Sequence, residues 1–248
     1  MRHKTLKFIY LGLMLLVSVS SVNAQSFGFG CLGLSGFYGG YTQQTYNADG
    51  INEFVKLNYS GPRSSNDLEF KQGTGYRIGA NLFRADFEDV FLTVKGFFQF
   101  MKEEHEIDDD LTQGVLKNKY SLSMNHWGIG LDFGFPVLRF VDFKLLEGGV
   151  TFYSSDFTYY VMLDDVQQSE VKLSPDKVQV GYYVGSGFIV HLIRDYISIE
   201  GTAAYTLLEI NKMQDSNGSS IPTLNSNNRP IKKGGIAATI QINVGFPL

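Results

Sequence analysis

The sequence has few of the features that hold a small exported domain together or bind a cofactor. Of its 248 residues only Cys31 is a cysteine, so no disulfide can form within the chain. Charged residues make up 19% of the sequence and the formal net charge is −4, which speaks against nucleic acid as a partner. No P-loop, dinucleotide fingerprint or metal-ligand spacing occurs. The sequence therefore predicts no cofactor and no metal site.

Long apolar runs are also scarce, and the one that exists lies at the N-terminus. Three basic residues among the first seven precede an apolar stretch over 8–19, and Val22, Asn23 and Ala24 then supply a small-residue cleavage site. This order is typical of a secretory signal peptide. We predict a signal peptide over 1–24 and one mature domain over 25–248. No later run is long enough for a transmembrane helix.

What the sequence does have is alternation of apolar and polar residues. Because successive side chains of a strand point to opposite faces, such segments predict strands with one apolar side. The clearest is the C-terminal segment, whose apolar face carries Ile236, Ala238, Ile240, Ile242, Val244 and Phe246. Its other face carries Ala237, Thr239, Gln241, Asn243 and Gly245.

The alternation predicts eight strands in all. Their expected bounds are 29–44, 74–85, 89–103, 115–133, 140–154, 177–193, 195–209 and 236–248. In the fourth strand the apolar phase changes near His126, and in the fifth it changes near Leu145 and Leu146. One extra residue in a strand produces such a change, so the sequence predicts a β-bulge near His126.

The predicted connections fall into two classes that alternate along the chain. The links over 86–88, 134–139 and 194–195 are short, whereas those over 45–73, 105–114, 155–176 and 210–235 are long. Within the long links, 51–57 is predicted as a short amphipathic helix, and 157–163 and 170–173 as extensions of strands five and six. Short turns at one end and long loops at the other are typical of barrels in the outer membrane.

The fold class that follows is all-β: an eight-stranded, antiparallel, up-and-down transmembrane barrel with short periplasmic turns and long external loops. The polar faces carry ions and amides rather than a uniform solvated surface. Aromatic residues near strand ends are expected to form interface girdles. These are Phe97, Trp127, Phe133, Phe135, Phe140, Tyr153, Tyr159, Tyr182, Tyr196 and Phe246. A soluble, lipocalin-like ligand-binding barrel with an apolar cavity is the alternative.

The chain resembles the small eight-stranded outer-membrane barrels of the OmpA/OmpX-like and PorT-like groups. The resemblance rests on the number of strands, the alternation of short and long connections, and the content of glycine and aromatic residues, including Asn125 to Gly130 and the final strand. The resemblance covers nearly all of the mature chain. It implies residence in the bacterial outer membrane, with outer-membrane lipid and lipopolysaccharide as partners. The PorT-like resemblance adds other envelope proteins to the partners that are implied.

A barrel of eight strands is just wide enough for its own side chains to fill it, so we expect a plugged interior and no open diffusion pore. Arg77, Lys95, Glu147 and Glu200 lie on polar strand faces and are predicted to form an ionic network in the lumen. Inward charges should pair because an unpaired buried charge is costly. Solvation at the wet ends of the barrel is the alternative for each of the four.

Enzymes also occur on such scaffolds, among them lipid A-modifying enzymes, and this remains a rival function. Catalysis of that kind needs a histidine, a serine and a carboxylate within reach of one another. His105, His126 and His191 have no such neighbours in sequence. The sequence therefore predicts no catalytic residue and a protein that is not an enzyme. The expected role is structural or interaction-based: envelope integrity, adhesion, or a subunit of an envelope or secretion complex.

Overall fold

A computed structural model of the protein describes residues 35–59, 68–87, 89–112, 114–194, 196–220 and 229–245. The predicted signal peptide, Cys31 and Phe246 lie outside these residues, so those predictions stay predictions. No helix in the described part of the chain is long and apolar enough to cross a bilayer.

The described residues form nine strands and one helix. The strands are β1 Gly36–Asn47, β2 Gln72–Asp86, β3 Phe91–Leu111, β4 Gly114–Leu138, β5 Val141–Leu163, β6 Val166–Leu173, β7 Gln179–Ile193, β8 Ile197–Leu207 and β9 Lys233–Gly245. Helix α1 spans Asp49–Asn58 and confirms the predicted helix in the first long connection.

Eight of the strands close into a ring. Their order is β4-β3-β2-β1-β9-β8-β7-β5, and β5 pairs with β4 to complete the circle. Every pairing is antiparallel, and β1 joins β9, so the first and last strands meet in the sheet. The predicted eight-stranded antiparallel barrel is therefore confirmed. Closure leaves no open edge within the ring, as a sheet in hydrocarbon requires.

An apolar belt surrounds the outside of the ring. Its exposed side chains include Phe37, Tyr41, Tyr76, Ile78, Phe98, Phe100, Trp127, Ile129, Leu131, Phe133, Val180, Tyr182, Val184, Phe188, Leu207, Ile236, Ile240, Ile242 and Val244. On β4 the belt runs from Trp127 to Phe135. Nine residues at about 3.3 Å each, tilted by about 40°, span roughly 23 Å, close to the apolar band of known outer-membrane barrels.

The predicted bulge at His126 is wrong. Lys102 pairs with Ser123 and Gln99 with His126 in one unbroken register. Inward-facing residues have even numbers along the whole of this stretch: Tyr120, Leu122, Met124, His126 and Asp132. What changes near His126 is the surroundings. Below it the outside of the barrel meets lipid, so the apolar residues point out; above it the outside meets water, so they point in.

The predicted change of phase in β5 is confirmed, and the structure shows that a β-bulge causes it. The register against β7 shifts between Lys144 and Glu147, and both of these side chains are buried. Leu145 and Leu146 between them are both exposed on the lipid side. The extra residue thus keeps two charged residues inside while two leucines face outward.

Two of the predicted long loops are wrong, because 105–114 and 155–176 are largely strand. β3 and β4 continue to a tight turn near Gly114, and β5 and β6 are joined by Asp164 and Asp165, both at positive φ. The predicted extension over 157–163 is confirmed as part of β5, whereas 170–173 belongs to the separate strand β6. Among the described strands β6 pairs only with β5, above the stretch where β5 pairs with β7.

We call the parts of these strands beyond the belt, together with α1 and the segments 208–220 and 229–232, the cap. Its inner faces bury an apolar core, formed by residues of α1, β3, β4, β5 and the long connections. Local alternation in the sequence did not indicate this core. Some of its members, such as Phe54, Phe157 and Ile210, come from predicted connections, whereas Tyr120 and Leu122 lie in a predicted strand whose apolar face was expected to point outward.

The short turns predicted for the opposite end are confirmed. They connect β2 to β3, β4 to β5 and β7 to β8. Among the predicted girdle aromatics, Trp127, Phe133, Phe135, Phe140, Tyr182 and Tyr196 are exposed. Phe97 and Tyr153 instead point into the barrel, and Tyr159 lies in the cap, stacked on Tyr120. For these three residues the girdle assignment is wrong.

Candidate functional site: a filled lumen beneath a folded cap

The structure places all four predicted network residues inside the barrel. Arg77 on β2, Lys95 on β3, Glu147 on β5 and Glu200 on β8 each expose less than a tenth of their surface. They come from strands far apart in sequence, and the ring brings them together because each occupies an inward position of its strand.

Lys95 sits at the centre of this ionic cluster. Its Nζ lies 2.6 Å from a carboxylate oxygen of Asp132 and 2.7 Å from Oε1 of Glu200. Lys144 approaches the same two carboxylates, at 3.2 Å from Asp132 and 2.6 Å from Glu200, and also pairs with Glu147. Two lysines therefore bridge three carboxylates.

Asp132 and Lys144 were missed by sequence reasoning. The alternation along β4 was a usable signal for Asp132, since it lies on the face opposite Ile129, Leu131 and Phe133. Lys144 was hidden by the bulge, which puts it on the inward side just before the phase changes. With Arg77 the cluster has three cations and three carboxylates, so the buried charges balance.

Arg77 joins the cluster more loosely than the lysines. Its Nη1 lies 3.8 Å from Glu147, its Nε donates to Oε1 of Gln99 at 2.7 Å, and its guanidinium lies 4.4 Å from the centre of the Phe97 ring. Planar stacking on an aromatic face together with a side-chain amide suits a guanidinium in a confined space.

Neutral residues complete the filling of the lumen. Asn243 donates to both Ser198 and Glu200 at 3.2 Å, and Gln241 donates to Asn243 at 2.8 Å. Tyr38, Phe97 and Tyr183 pack as a separate buried aromatic cluster beside the ions. The hydroxyl of Tyr183 takes the space that a side chain at Gly130 would need. Ionic, amide and aromatic groups thus occupy the interior across the depth of the belt.

Above the ions an apolar core closes the outer mouth. It comprises, among others, Tyr46, Ile51, Phe54, Val55, Phe70, Met101, Tyr120, Leu122, Met124, Phe157 and Ile210. Helix α1 supplies Ile51, Phe54 and Val55 from its buried face. Asn52 ties the helix to the following segment, because its side chain donates to the carbonyl of Phe70 at 2.9 Å and accepts from that residue's amide at 2.7 Å.

Glu103 anchors the start of β2 to the cap. It accepts the amide of Gln72 at 2.9 Å, the amide of Lys71 at 3.0 Å and the hydroxyl of Tyr46, and it lies 3.1 Å from Nε2 of His105. Burial acts to raise the pKa of Glu103, but the hydrogen bonds outweigh it and hold that pKa below its ordinary value. The anchor is thus favoured in its ionised form.

The strands of the cap form a projecting sheet in the order β3-β4-β5-β6. The segments 102–123 and 156–173 that build it contain ten carboxylates and four lysines. Seven of the carboxylates and two of the lysines are exposed, so the outer face of the projecting sheet is acidic. Among the described residues no group of three or more histidine, cysteine or acidic side chains is placed to hold a metal ion.

The three histidines considered as catalytic candidates lie apart from one another. His126 is inside the barrel, with its ring centre 4.2 Å from that of Tyr153. His191, near the short-turn end, lies 2.8 Å from a carboxylate oxygen of Asp142. His105 is held by Glu103 in the cap. None of them takes part in the ionic cluster.

Comparison with known proteins finds similar barrels only among solved structures. No family model matches the sequence, and no curated protein sequence does. Ail, the attachment invasion locus protein of Yersinia pestis, has a TM-score of 0.43 and 10% identity, with 86% of this chain and 98% of that chain covered. The outer membrane protease OmpT of Escherichia coli has a TM-score of 0.40 and 10% identity over 86% and 94%. CarO2 of Acinetobacter baumannii has a TM-score of 0.31 and 10% identity over 86% and 99%.

The closed ring, its lipid-facing belt and its polar interior decide the location. The protein is an outer-membrane β-barrel. A soluble, lipocalin-like barrel would have its apolar face inside. Here the apolar side of the sheet points outward and the lumen holds charged side chains, so this alternative is excluded. At such low TM-scores and identities, the similar structures themselves carry no argument about ligands.

One expectation is corrected by the comparisons. The sequence predicted that the protein is not an enzyme, yet OmpT is an outer membrane protease. The prediction rested on the absence of a histidine, a serine and a carboxylate near one another in the sequence, and the comparison with OmpT contradicts it.

Proposed function

We propose that the barrel is a sealed anchor in the outer membrane and that the cap is an interaction module displayed on the cell surface. One observation carries this proposal: the strands continue beyond the belt into a folded cap with its own apolar core, while the lumen beneath it is filled. In a pore the interior of the barrel carries the transported solute. Here the part of the molecule with a large accessible surface is the cap.

The filled lumen supports the anchor role. The ionic cluster of three cations and three carboxylates spans the lumen at belt level, and the cap core lies above it. Opening a path for ions would separate paired charges in a confined space, at a cost far above thermal energy. The barrel is therefore proposed not to conduct.

The boundary between belt and cap supports contact with lipopolysaccharide. Lys233 lies with its Nζ 5.7 Å from the centre of the Tyr205 ring, and Lys232 lies 3.6 Å from Asp49. Both lysines are exposed at the top of β9, directly above Ile236 of the belt. Phosphate groups of the outer leaflet are found at this height, and lysine is a suitable point charge for them.

The acidic face of the cap favours a partner that is not a polyanion. Ail has been solved in complex with the heparin analogue sucrose octasulfate. The projecting sheet of the present protein, with seven exposed carboxylates and two exposed lysines in 102–123 and 156–173, would repel such a ligand. An envelope or external protein surface is the better match.

Two measurements test the proposal. In planar bilayers the purified protein should show no stable open conductance; a persistent open channel would contradict the anchor role. On cells, replacing 104–122 and 157–173 by short turns should leave a barrel that inserts and changes gel mobility on heating, but should reduce surface adhesion to the level of cells without the protein. Unchanged adhesion in the variant without these segments would refute the interaction role.

A further inference from the structure

The projecting sheet ends in a strand with an unpaired edge. β6 pairs with β5 on one side only, and no strand among the described residues pairs with its other side. The regular part of this edge spans Ser169 to Leu173. It is bounded by the register shift near Gln168 and by the bridge between Ser174 and Gln214. This gives five regular residues centred on Val171.

The direction of the backbone groups on this edge follows from Ser174. Its amide donates to the carbonyl of Gln214 at 3.0 Å, and its carbonyl accepts from the amide of Gln214 at 2.9 Å, on the side away from β5. Backbone groups of successive strand residues point to alternate sides. Glu170 and Lys172 therefore present their amides and carbonyls on the open edge, whereas Val171 is turned toward β5.

The side chains of the edge alternate between the two faces of the sheet. Val171 packs against the cap core and Leu173 is buried in it. Glu170 and Lys172 are exposed on the outer face, where Lys172 also lies 3.3 Å from Asp156. The edge thus carries one negative and one positive side chain placed symmetrically about Val171.

We infer that this edge binds the same edge of a second copy of the chain, in antiparallel orientation, with Val171 opposite Val171. This deepens the proposed interaction role and rests on it. In this register Glu170 of each copy lies opposite Lys172 of the other, so two ion pairs form. The same two residues are those whose backbone groups face the partner, so they exchange four hydrogen bonds across the junction.

The charge pattern selects this edge over the other open edge of the sheet. Above Lys102, β3 pairs only with β4 among the described strands, and its outer side chains include Glu104, Glu106 and Asp108. Two copies of that acidic edge would repel each other, and like charges directly opposite destabilise a sheet. Of the two edges, the β6 edge is the one complementary to itself.

The orientation of the pair determines where the second copy lies. Two antiparallel strands with equivalent residues opposite each other are related by a two-fold axis perpendicular to the sheet. That rotation reverses the strand direction and turns the second barrel toward the opposite side. The second copy therefore sits in a facing membrane, and the contact joins two outer-membrane surfaces. Many such edge-to-edge contacts form between the same two membranes, so their weak individual affinities combine into stronger adhesion.

The test uses the protein reconstituted in lipid vesicles, with vesicle clustering followed by light scattering. Wild-type vesicles should cluster. Vesicles with Glu170→Lys and vesicles with Lys172→Glu should each lose clustering. In each variant positions 170 and 172 carry the same charge, so both pairs across the contact repel. A mixture of the two variants should cluster again, since both edge positions are then positive in one variant and negative in the other. The double charge swap should also cluster.

Two controls keep the outcome decisive. Lys119→Glu changes the net charge equally but lies on β4 away from the edge, and it should leave clustering intact. Val171→Cys in a Cys31→Ser background should form a disulfide dimer between vesicles, because opposite residues of a non-hydrogen-bonded pair lie about 4.5 Å apart at Cα. Failure of the mixed variants to restore clustering, or no disulfide dimer, would overturn the self-pairing.

Failure of this inference is distinguishable from failure of the proposed function. If the charge variants cluster like the wild type while loss of 104–122 and 157–173 still abolishes adhesion to other surfaces, only the self-pairing is wrong. If removal of those segments changes no adhesion, the interaction role itself is wrong.

Discussion

Removing Lys144 is the sharpest test of the ionic cluster. Its side chain is completely buried, and its Nζ contacts Glu200 at 2.6 Å and Asp132 at 3.2 Å as well as Glu147. In Lys144→Met three carboxylates would face two cations, and one buried negative charge would have no counterpart. Breaking a buried ion pair by removing one partner costs about 3–5 kcal/mol. We expect a loss of this size in the free energy of unfolding.

The matched control is the double variant Lys144→Met with Glu147→Leu. It leaves Arg77 and Lys95 against Asp132 and Glu200, so the charges balance again. The double variant should be more stable than Lys144→Met alone, with a coupling energy of about 1.5 kcal/mol or more between the two sites. Both are measured by urea unfolding in lipid vesicles, read out by heat-modifiable gel mobility and by the fluorescence of Trp127. A loss below about 1 kcal/mol for the single variant, or strictly additive effects, would refute a coupled buried cluster.

Three further predictions address the belt, the lumen and the cap. Ile240→Arg places a charge on an outward side chain that is 58% exposed to lipid, and should cost about 2–4 kcal/mol in vesicle folding assays, whereas Ile240→Val should cost little. Gly130→Ala should cost about 1–3 kcal/mol because the added methyl meets the Tyr183 hydroxyl, and Tyr183→Phe should relieve part of that loss in urea unfolding. Since the pKa of Glu103 is held below its ordinary value of 4.5, its contribution to stability is present above that pH and is lost as pH falls through the lower pKa of the folded state. The stability difference between wild type and Glu103→Gln should therefore shrink on acidification from about pH 6 to about pH 3, and a difference that grows would contradict the anchor.

The belt was predictable from the sequence because lipid imposes one rule on every strand that crosses it. An outward apolar face produces a period of two that local sequence reveals, as in Ile240, Ile242 and Val244. The change of phase at Leu145 and Leu146 was predictable for the same reason, since an extra residue shifts that period visibly. The alternation of side chains along each strand was enough to place four charged residues on the polar face: Arg77, Lys95, Glu147 and Glu200.

The cap was not predictable in this way, because the rule reverses above the membrane. Tyr120, Leu122 and Met124 point inward and Trp127 points outward in one continuous strand, so the change in period imitates a bulge. The sequence pattern shows the period of the apolar residues. It does not show whether the outside of the strand meets lipid or water, and this decides whether the apolar face points outward or inward. The hairpins carry many charges on their outer face, and this made them resemble loops in the sequence.

Membership of the ionic cluster was only partly predictable because it depends on distant pairings. Lys144 becomes a lumen residue through the register of β5 against β7, and Asp132 becomes its partner through β4. No local pattern joins them. The charge balance of the cluster appears only when the ring is closed.

The central claim is that the barrel lies in a membrane with its apolar side toward lipid, and the native Trp127 tests it without any mutation. It is the only tryptophan in the chain, and its side chain is 47% exposed at the upper boundary of the belt. In vesicles containing lipids brominated at different depths, its fluorescence should be quenched strongly, most by bromines near the interface, and aqueous iodide should quench it little. Full quenching by iodide with no effect of brominated lipid would contradict the account.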